Sequence, residues 1–585
     1  MNRVLRSVIL LIVSAGMVAS LNVEPTSGSH DARIAWLEEH VVPLIGCEAD
    51  EGFSDLEPLR EMIGDARIVG LGESTHGTRE HFLMKHRLLE YLDEELGFTW
   101  FAIEASTPDA HRLDAYVLGG AGDPAALIGG MYFWTWNTEE VLAMVEWMRA
   151  YNARSDRKIH FTGFDMQTPD VATEEVMRFL VSVESPLAAA AAVQYPRIMA
   201  ASNDSTMAYA AYSFPLAEAR GKMIRFRAWI KTEELRGGRA GLWGWVGGVG
   251  GKLLAADDTM YSGPIGNTDW AEYVIELPVA AEATSVNFGF SMTGEGRAWF
   301  DAASIELNNV AYDASSFDLG FEGDRIAAYR YTDDTNYTSE LDGSVAYAGG
   351  QSLRIASVPK APDAPTAREA LVRAEAILSK MEAARGEWLT LRPVEEVERA
   401  ILYARIVTQC MRMRAADDQI KFRVRDEAMA ENVTWLAEQN PEARIVLWAH
   451  NGHVNRAPDA MGSNLAARFG DAYLPVGFAT AEGSYAAKSS SVLEVHDLQT
   501  PPEDSFEAVF AAAEAPLFAL DLRPARPGDE GSGWLCETRP FRGIGSGPMD
   551  EQFSPTPLRE YFDLVIFVEE TTAARQLPTP PSPSP

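Results

Sequence analysis

The chain has 585 residues and a mass of 64.1 kDa, too long for one ordinary domain, so two or three are expected. Its 46% hydrophobic and 23% charged residues exclude broad disorder. Against 50 Lys and Arg stand 85 Asp and Glu, and a net charge of -35 repels nucleic acid and anionic lipid, excluding both as main partners. Cys47, Cys410 and Cys536 lie far apart with no Cys-x-x-Cys pair, which excludes a disulfide scaffold, a zinc ribbon and a thioredoxin-type site.

Residues 1–20 read as a signal peptide. Arg3 and Arg6 precede the apolar run Val8 to Val13, and small residues follow up to a cleavage site near Ser20. The run is too short for a comfortable membrane span, so the mature protein is expected to be periplasmic or secreted and free of the membrane. From 31 to 190 the texture is α/β. Ala66 to Leu71 is a buried strand, Arg79 to Leu96 a helix, Thr99 to Ile103 a second strand ending at Glu104, and Ile159 to Phe164 a third ending at Asp165. Asn137 and Glu140, three apart, read as a capping box for a helix through Arg149. From 195 to 358 the period shifts to two, as in Lys222 to Lys231, and Gly-rich turns punctuate it. This predicts a β-sandwich inserted into the α/β domain. Helix returns from about Pro365 to Ala415 and from Arg425 to Gln439. Strands follow at Ala443 to Trp448 and Phe562 to Val568, so the α/β domain resumes over 365–575. Residues 577–585 are Pro- and Ser-rich and read as a disordered tail. The predicted fold class is α/β: a mostly parallel central sheet flanked by helices, with an extra helical cover, interrupted by an all-β jelly-roll-like sandwich.

Chemistry in open α/β sheets gathers at the carboxyl ends of the strands. Here those ends carry Gly72-Glu73-Ser74-Thr75-His76-Gly77, Glu104, Asp165 and His450-Asn451-Gly452-His453. A dinucleotide fingerprint would need Gly where Thr75 stands, and no G-x-S-x-G elbow occurs in the chain. His450 and His453, with His76 and either Glu, are a conceivable zinc ligand set, although H-x-x-H just after a strand is not the helical zincin spacing. Only ten histidines occur in all, and three of them sit at strand ends beside glycines and two acids, which points to a catalytic cluster.

The segments GLGESTHGTREHF, KHRLLEYLDEELGF, AIEAS, FWTWNTEEVLAMVEWMRAYN, FTGFDMQ, RDEAMAENVTWL and VLWAHNGHV resemble the erythromycin esterases. The resemblance implies that Glu73, His76, Glu104, His450 and His453 line the catalytic cleft, and that the reaction is hydrolysis of an ester or macrolide lactone without metal or cofactor. Lys85 stands nearest to an arginine that some family members place on the helix after the first loop, with Arg87 close by. Arg425 and Asp426 match the family pattern as site-shaping residues, and Asp165 joins them from FTGFDMQ. The sandwich resembles circularly permuted carbohydrate-binding jelly rolls, which makes a glycan its implied ligand, with Trp243, Trp245, Trp270 and Trp299 available for stacking. A metal-dependent hydrolase and a non-catalytic glycan-binding protein are the alternatives. On the hydrolase reading His76 takes a proton from water, carried to the substrate by a flexible Gly77. Glu73 orients the ring, Glu104 positions the water or holds the second proton, and His450 and His453 donate to the oxyanion.

Overall fold

The structure, a computed structural model, describes residues 27–578 apart from 50–51, 202–206, 249–251, 260–261, 329, 333–335, 359–364, 418–419, 490–491 and 550. The predicted signal peptide lies outside the described residues, as does the tail from 579 onward. Leu577, predicted as tail, donates its N–H to the Asn137 carbonyl.

A nine-stranded sheet organises the α/β part. Its order is Val41–Pro43, Leu517–Asp521, Leu564–Thr571, Tyr473–Ser489, Ile68–Leu71, Arg444–Trp448, Phe98–Ser106 and His160–Asp165, with Val492–Asp497 paired to the far half of the long Tyr473–Ser489 strand. The six strands from Leu564–Thr571 to His160–Asp165 run parallel, and Leu517–Asp521 pairs antiparallel with both of its neighbours, Leu564–Thr571 and Val41–Pro43. The central strands are apolar throughout because both faces are covered. The helices Arg79–Glu94, Thr107–Val117 and Glu139–Arg154 fill one face around Phe82, Leu113 and Val145. Lys421–Gln439 and Met461–Phe469 fill the other around Met429 and Leu465. The cap of the Glu139–Arg154 helix differs from the capping box predicted at Asn137: the Thr138 hydroxyl accepts from the Val141 N–H.

The helical cover consists of Asp170–Ser182, Leu187–Met199, Ala367–Trp388 and Val394–Arg414, sharing a core of Val176, Ile198, Met381 and Ile401. The predicted continuous helical stretch is broken before Val394, with Pro393 at the N-cap. Leu187–Met199 leads into the β segment and Ala367–Trp388 leads out of it, and Arg373 Nη1 on the second donates to Gln194 Oε1 on the first at 2.8 Å. Between them, from Met207 to Ser357, two antiparallel sheets enclose a separate core around Phe226, Phe288 and Phe300. The first helix thus runs to Met199, past the sandwich boundary predicted at 195. Of the four predicted tryptophans, Trp299 is buried with its indole N–H on Asp342, and Trp243 donates to the Phe290 carbonyl.

Ile68–Leu71, Arg444–Trp448 and Phe98–Ser106 therefore lie side by side, which brings Glu73, His450 and Glu104 to one end of the sheet. The loop that carries Glu73 and His76 is clamped. The Gly77 carbonyl accepts from the N–H groups of Ala486 and Ala574, each at 2.9 Å. A Cβ on Gly77 would meet the Ala486 carbonyl oxygen at 1.9 Å. Gly77 is thus a close-approach glycine and not the flexible hinge expected from sequence. Gly77→Ala is expected to cost about 1–3 kcal/mol of stability, read as a shifted denaturant midpoint, through backbone displacement. An unshifted midpoint would contradict the clamp.

Candidate active site

Glu73 is fully buried just beyond the end of Ile68–Leu71. Its Oε1 accepts from His76 Nδ1 at 2.8 Å, and its Oε2 accepts from Lys85 Nζ at 2.5 Å and Trp448 Nε1 at 2.7 Å. Burial alone would raise the carboxyl pKa, but the Lys85 ammonium and the His76 bond outweigh it and hold Glu73 below its ordinary value. Lys85, also fully buried, lies 4.4 Å from the Trp448 ring centroid. Burial brings its pKa down to about 8 against the pull of Glu73. The ring of His76 remains 12% exposed, and its Nε2 bonds to no described residue.

A second cluster surrounds Arg425 on the Lys421–Gln439 helix. Its guanidinium donates to Asp165 Oδ1 at 3.2 Å and Oδ2 at 2.8 Å and to Glu104 Oε1 at 2.6 Å, and its Nη1 lies 3.0 Å from His453 Nε2. Glu104 lies inside its strand, which extends past the predicted end at Ile103. Its Oε2 accepts the His450 N–H at 3.0 Å. Burial works against its charge, yet His453 and Arg425 hold it well below the carboxylate range. His453 Nδ1 faces Asp426 at 2.9 Å and its Nε2 lies 3.3 Å from Glu104 Oε1, under the ring of Phe422. Burial opposes protonation of His453, but Glu104 and Asp426 raise its pKa to about 9. The ring is then an imidazolium donating to both carboxylates. Asp426 also accepts from the Met461 N–H, which fixes it between two helices.

His450 bridges the clusters, its ring centroid 4.9 Å from that of His76. It caps the short helix Asn451–Val454 by accepting the Gly452 N–H on Nδ1, and its Nε2–H donates to the Ile544 carbonyl at 3.0 Å. Burial, with His76 and His453 nearby, takes its pKa down to about 3. His450 is thus a neutral ring with both nitrogens engaged, and His453 has both N–H groups on carboxylates. Neither ring has an N–H left for an oxyanion, contrary to the role expected from sequence.

The structure brings together Glu73, His76, Lys85, Glu104, Asp165, Arg425, Asp426, His450 and His453. It separates Arg87. That side chain is fully buried on the Arg79–Glu94 helix but holds Asp55 and the Gly46 and Gly52 carbonyls, touching none of the others. Two residues apart on a helix, Lys85 and Arg87 cannot face the same site. Sequence reasoning missed Trp448, Phe422 and Ile544. Trp448, at the end of its strand beside His450, carried a positional signal; a main-chain carbonyl at Ile544 carries none. Among the described residues no group of three or more His, Cys, Asp or Glu is arranged to hold a metal ion.

The sequence model of the erythromycin esterase family matches residues 94–231 and 326–571. The chain belongs to the erythromycin esterase family. The unmatched stretch, 232–325, falls within the sandwich. Erythromycin esterase type II of Escherichia coli is 34% identical over 131 residues, which are 22% of this chain and 31% of that one. A putative hydrolase of Bacillus subtilis, YbfO, is 34% identical over 133 residues, 23% of this chain and 29% of that one. The aligned regions thus span about a third of these curated relatives. Among solved structures, a succinoglycan biosynthesis protein superposes with a TM-score of 0.58 at 19% identity, covering 94% of this chain and 99% of the other. An erythromycin esterase mutant, EreC, in its open conformation gives 0.51 at 14%, covering 92% and 98%. These two share the fold.

Because His453 gains its second proton on folding, its stabilisation is complete below the ordinary histidine pKa of 6.5 and is lost as pH rises through about 9. The stability difference between wild type and His453→Gln, measured by denaturant titration, is expected to be largest below pH 6.5 and to shrink by pH 10. A difference independent of pH would contradict the protonated ring.

Proposed function

We propose that this protein is an exported hydrolase that cleaves an ester or lactone of a small molecule with water activated by His76. The observation that carries the reading is the pairing of His76 Nδ1 with the buried Glu73 carboxylate, which leaves Nε2 without a protein partner. With its Nδ1–H donated to Glu73, the neutral ring presents a lone pair on Nε2. Nε2 takes one proton from water while the hydroxide oxygen bonds to the carbonyl carbon. The tetrahedral intermediate then expels the alkoxide, which takes that proton back from Nε2. The products are a carboxylic acid and an alcohol, and His76 returns neutral.

The remaining groups position this pair. Glu73 steadies the imidazolium that forms, and Lys85 and Trp448 keep the carboxylate ionised and in place. Glu104 is an ionised hub that holds the main chain of His450 and the side chains of Arg425 and His453, which supports a positioning role in place of a proton store. Hydrolysis of a macrolide lactone is the substrate reading favoured by the family name, and the N-terminal residues favour export. His76→Asn is expected to lower kcat by about 10²–10⁴-fold on a p-nitrophenyl ester series, with an unchanged melting temperature. Incubation with a chelator is expected to leave wild-type turnover intact. Retention of activity in the variant would sink the base assignment, and loss on chelation with recovery on zinc would hand the reaction to the metal reading.

A further inference from the structure

Ester hydrolysis accumulates negative charge on the carbonyl oxygen, and donors aimed at that oxygen supply much of the rate. The two rings expected to donate are not available: the ring N–H of His450 is held by Ile544 and those of His453 by Asp426 and Glu104. Main-chain N–H groups beside these rings can take the role instead.

One segment beside the site has unused main-chain donors. Ile544 accepts from His450 Nε2 with its carbonyl and donates its N–H to the Ser74 carbonyl at 2.7 Å, so it ties the two histidine-bearing loops together. It is anchored by the fully buried Arg542, which donates to the carbonyls of Thr480, Ala481 and Gln499. The next three residues are Gly545, Ser546 and Gly547, all at least partly exposed. Their N–H groups donate to no atom of the described residues. A Cβ on Gly545 would meet nothing within 4 Å, and one on Gly547 only the Lys488 carbonyl oxygen at 3.7 Å, an ordinary contact. Neither glycine has a positive φ. Neither backbone conformation nor packing within the protein requires glycine at these positions, whereas close approach of a ligand to bare backbone does.

Given the ester-hydrolase reading, we propose that Gly545–Gly547 form the substrate-binding wall of the site and supply the main-chain N–H groups that hold the carbonyl oxygen of the ester. The strip is fixed from behind by the Lys488 N–H, which donates to the Ser546 carbonyl at 3.0 Å.

One substitution removes a main-chain donor from the middle of the strip. Ser546→Pro deletes the N–H, leaves the carbonyl, and is expected to lower kcat by about 10²-fold on the p-nitrophenyl esters. Should Ser546→Pro fail to fold, Gly545→Ala and Gly547→Ala decide. Both are expected to raise KM about tenfold while the melting temperature holds or rises, since neither added methyl meets a clash. Wild-type kcat and KM in the proline variant, or in both alanine variants, overturns the proposal while leaving the hydrolase reading intact. Absence of turnover by the wild-type protein on these esters and on a macrolide lactone takes down both.

Discussion

Everything at this site depends on keeping one carboxylate charged where water cannot reach it. Glu73 is completely buried, and an ion in that position is tolerated only if its lone pairs are met by donors. Three elements meet them: Lys85 from the Arg79–Glu94 helix, the Trp448 indole from a neighbouring strand, and His76 from the same loop. The first two are structural supports, and the third is the group that the proposed reaction would use. Removing Lys85 would leave the charge unbalanced in the core, and removing Trp448 would leave a buried lone pair unmet, so the same bonds secure the fold and the proposed chemistry.

The second cluster applies the same logic with the signs extended. Glu104, Asp165 and Asp426 surround Arg425 and His453, so three acids face two cations. The network reaches the first cluster through the main chain of His450, and a neutral His450 stands between them. Charge is thus held on these acids and cations while the His450 ring, which faces His76, stays uncharged. Two like charges on His76 and His450, 4.9 Å apart, would repel, and the locked neutral tautomer of His450 avoids that.

Much of this was legible in the sequence, because strand ends are where α/β folds collect chemistry. The runs ARIVGL, TWFAI and ARIVLW located the strands, and the polar residues that follow them located Glu73, His76, Glu104, His450 and His453. Helical geometry was available but unused at Arg87, which points some 200° away from Lys85 at about 100° per residue. Tyr473–Ser489 was not legible because its mixture of small, polar and aromatic residues has neither a clean period of two nor an unbroken apolar run, whereas Leu517–Asp521 carries the apolar run LFAL, too short for periodicity to tell a strand from a helix segment. Ile544 was beyond any sequence reading: it acts through its backbone and lies 94 residues from its partner His450.

The central claim is the orientation of one proton on one ring. Nitrogen-15 NMR of the histidine-labelled protein, with His76 assigned by comparison with His76→Asn, reads it directly. The account predicts that the neutral His76 ring carries its proton on Nδ1, toward Glu73, and a bare Nε2 toward the site. A neutral ring protonated on Nε2 would put lone pair against carboxylate, remove the base, and contradict the account.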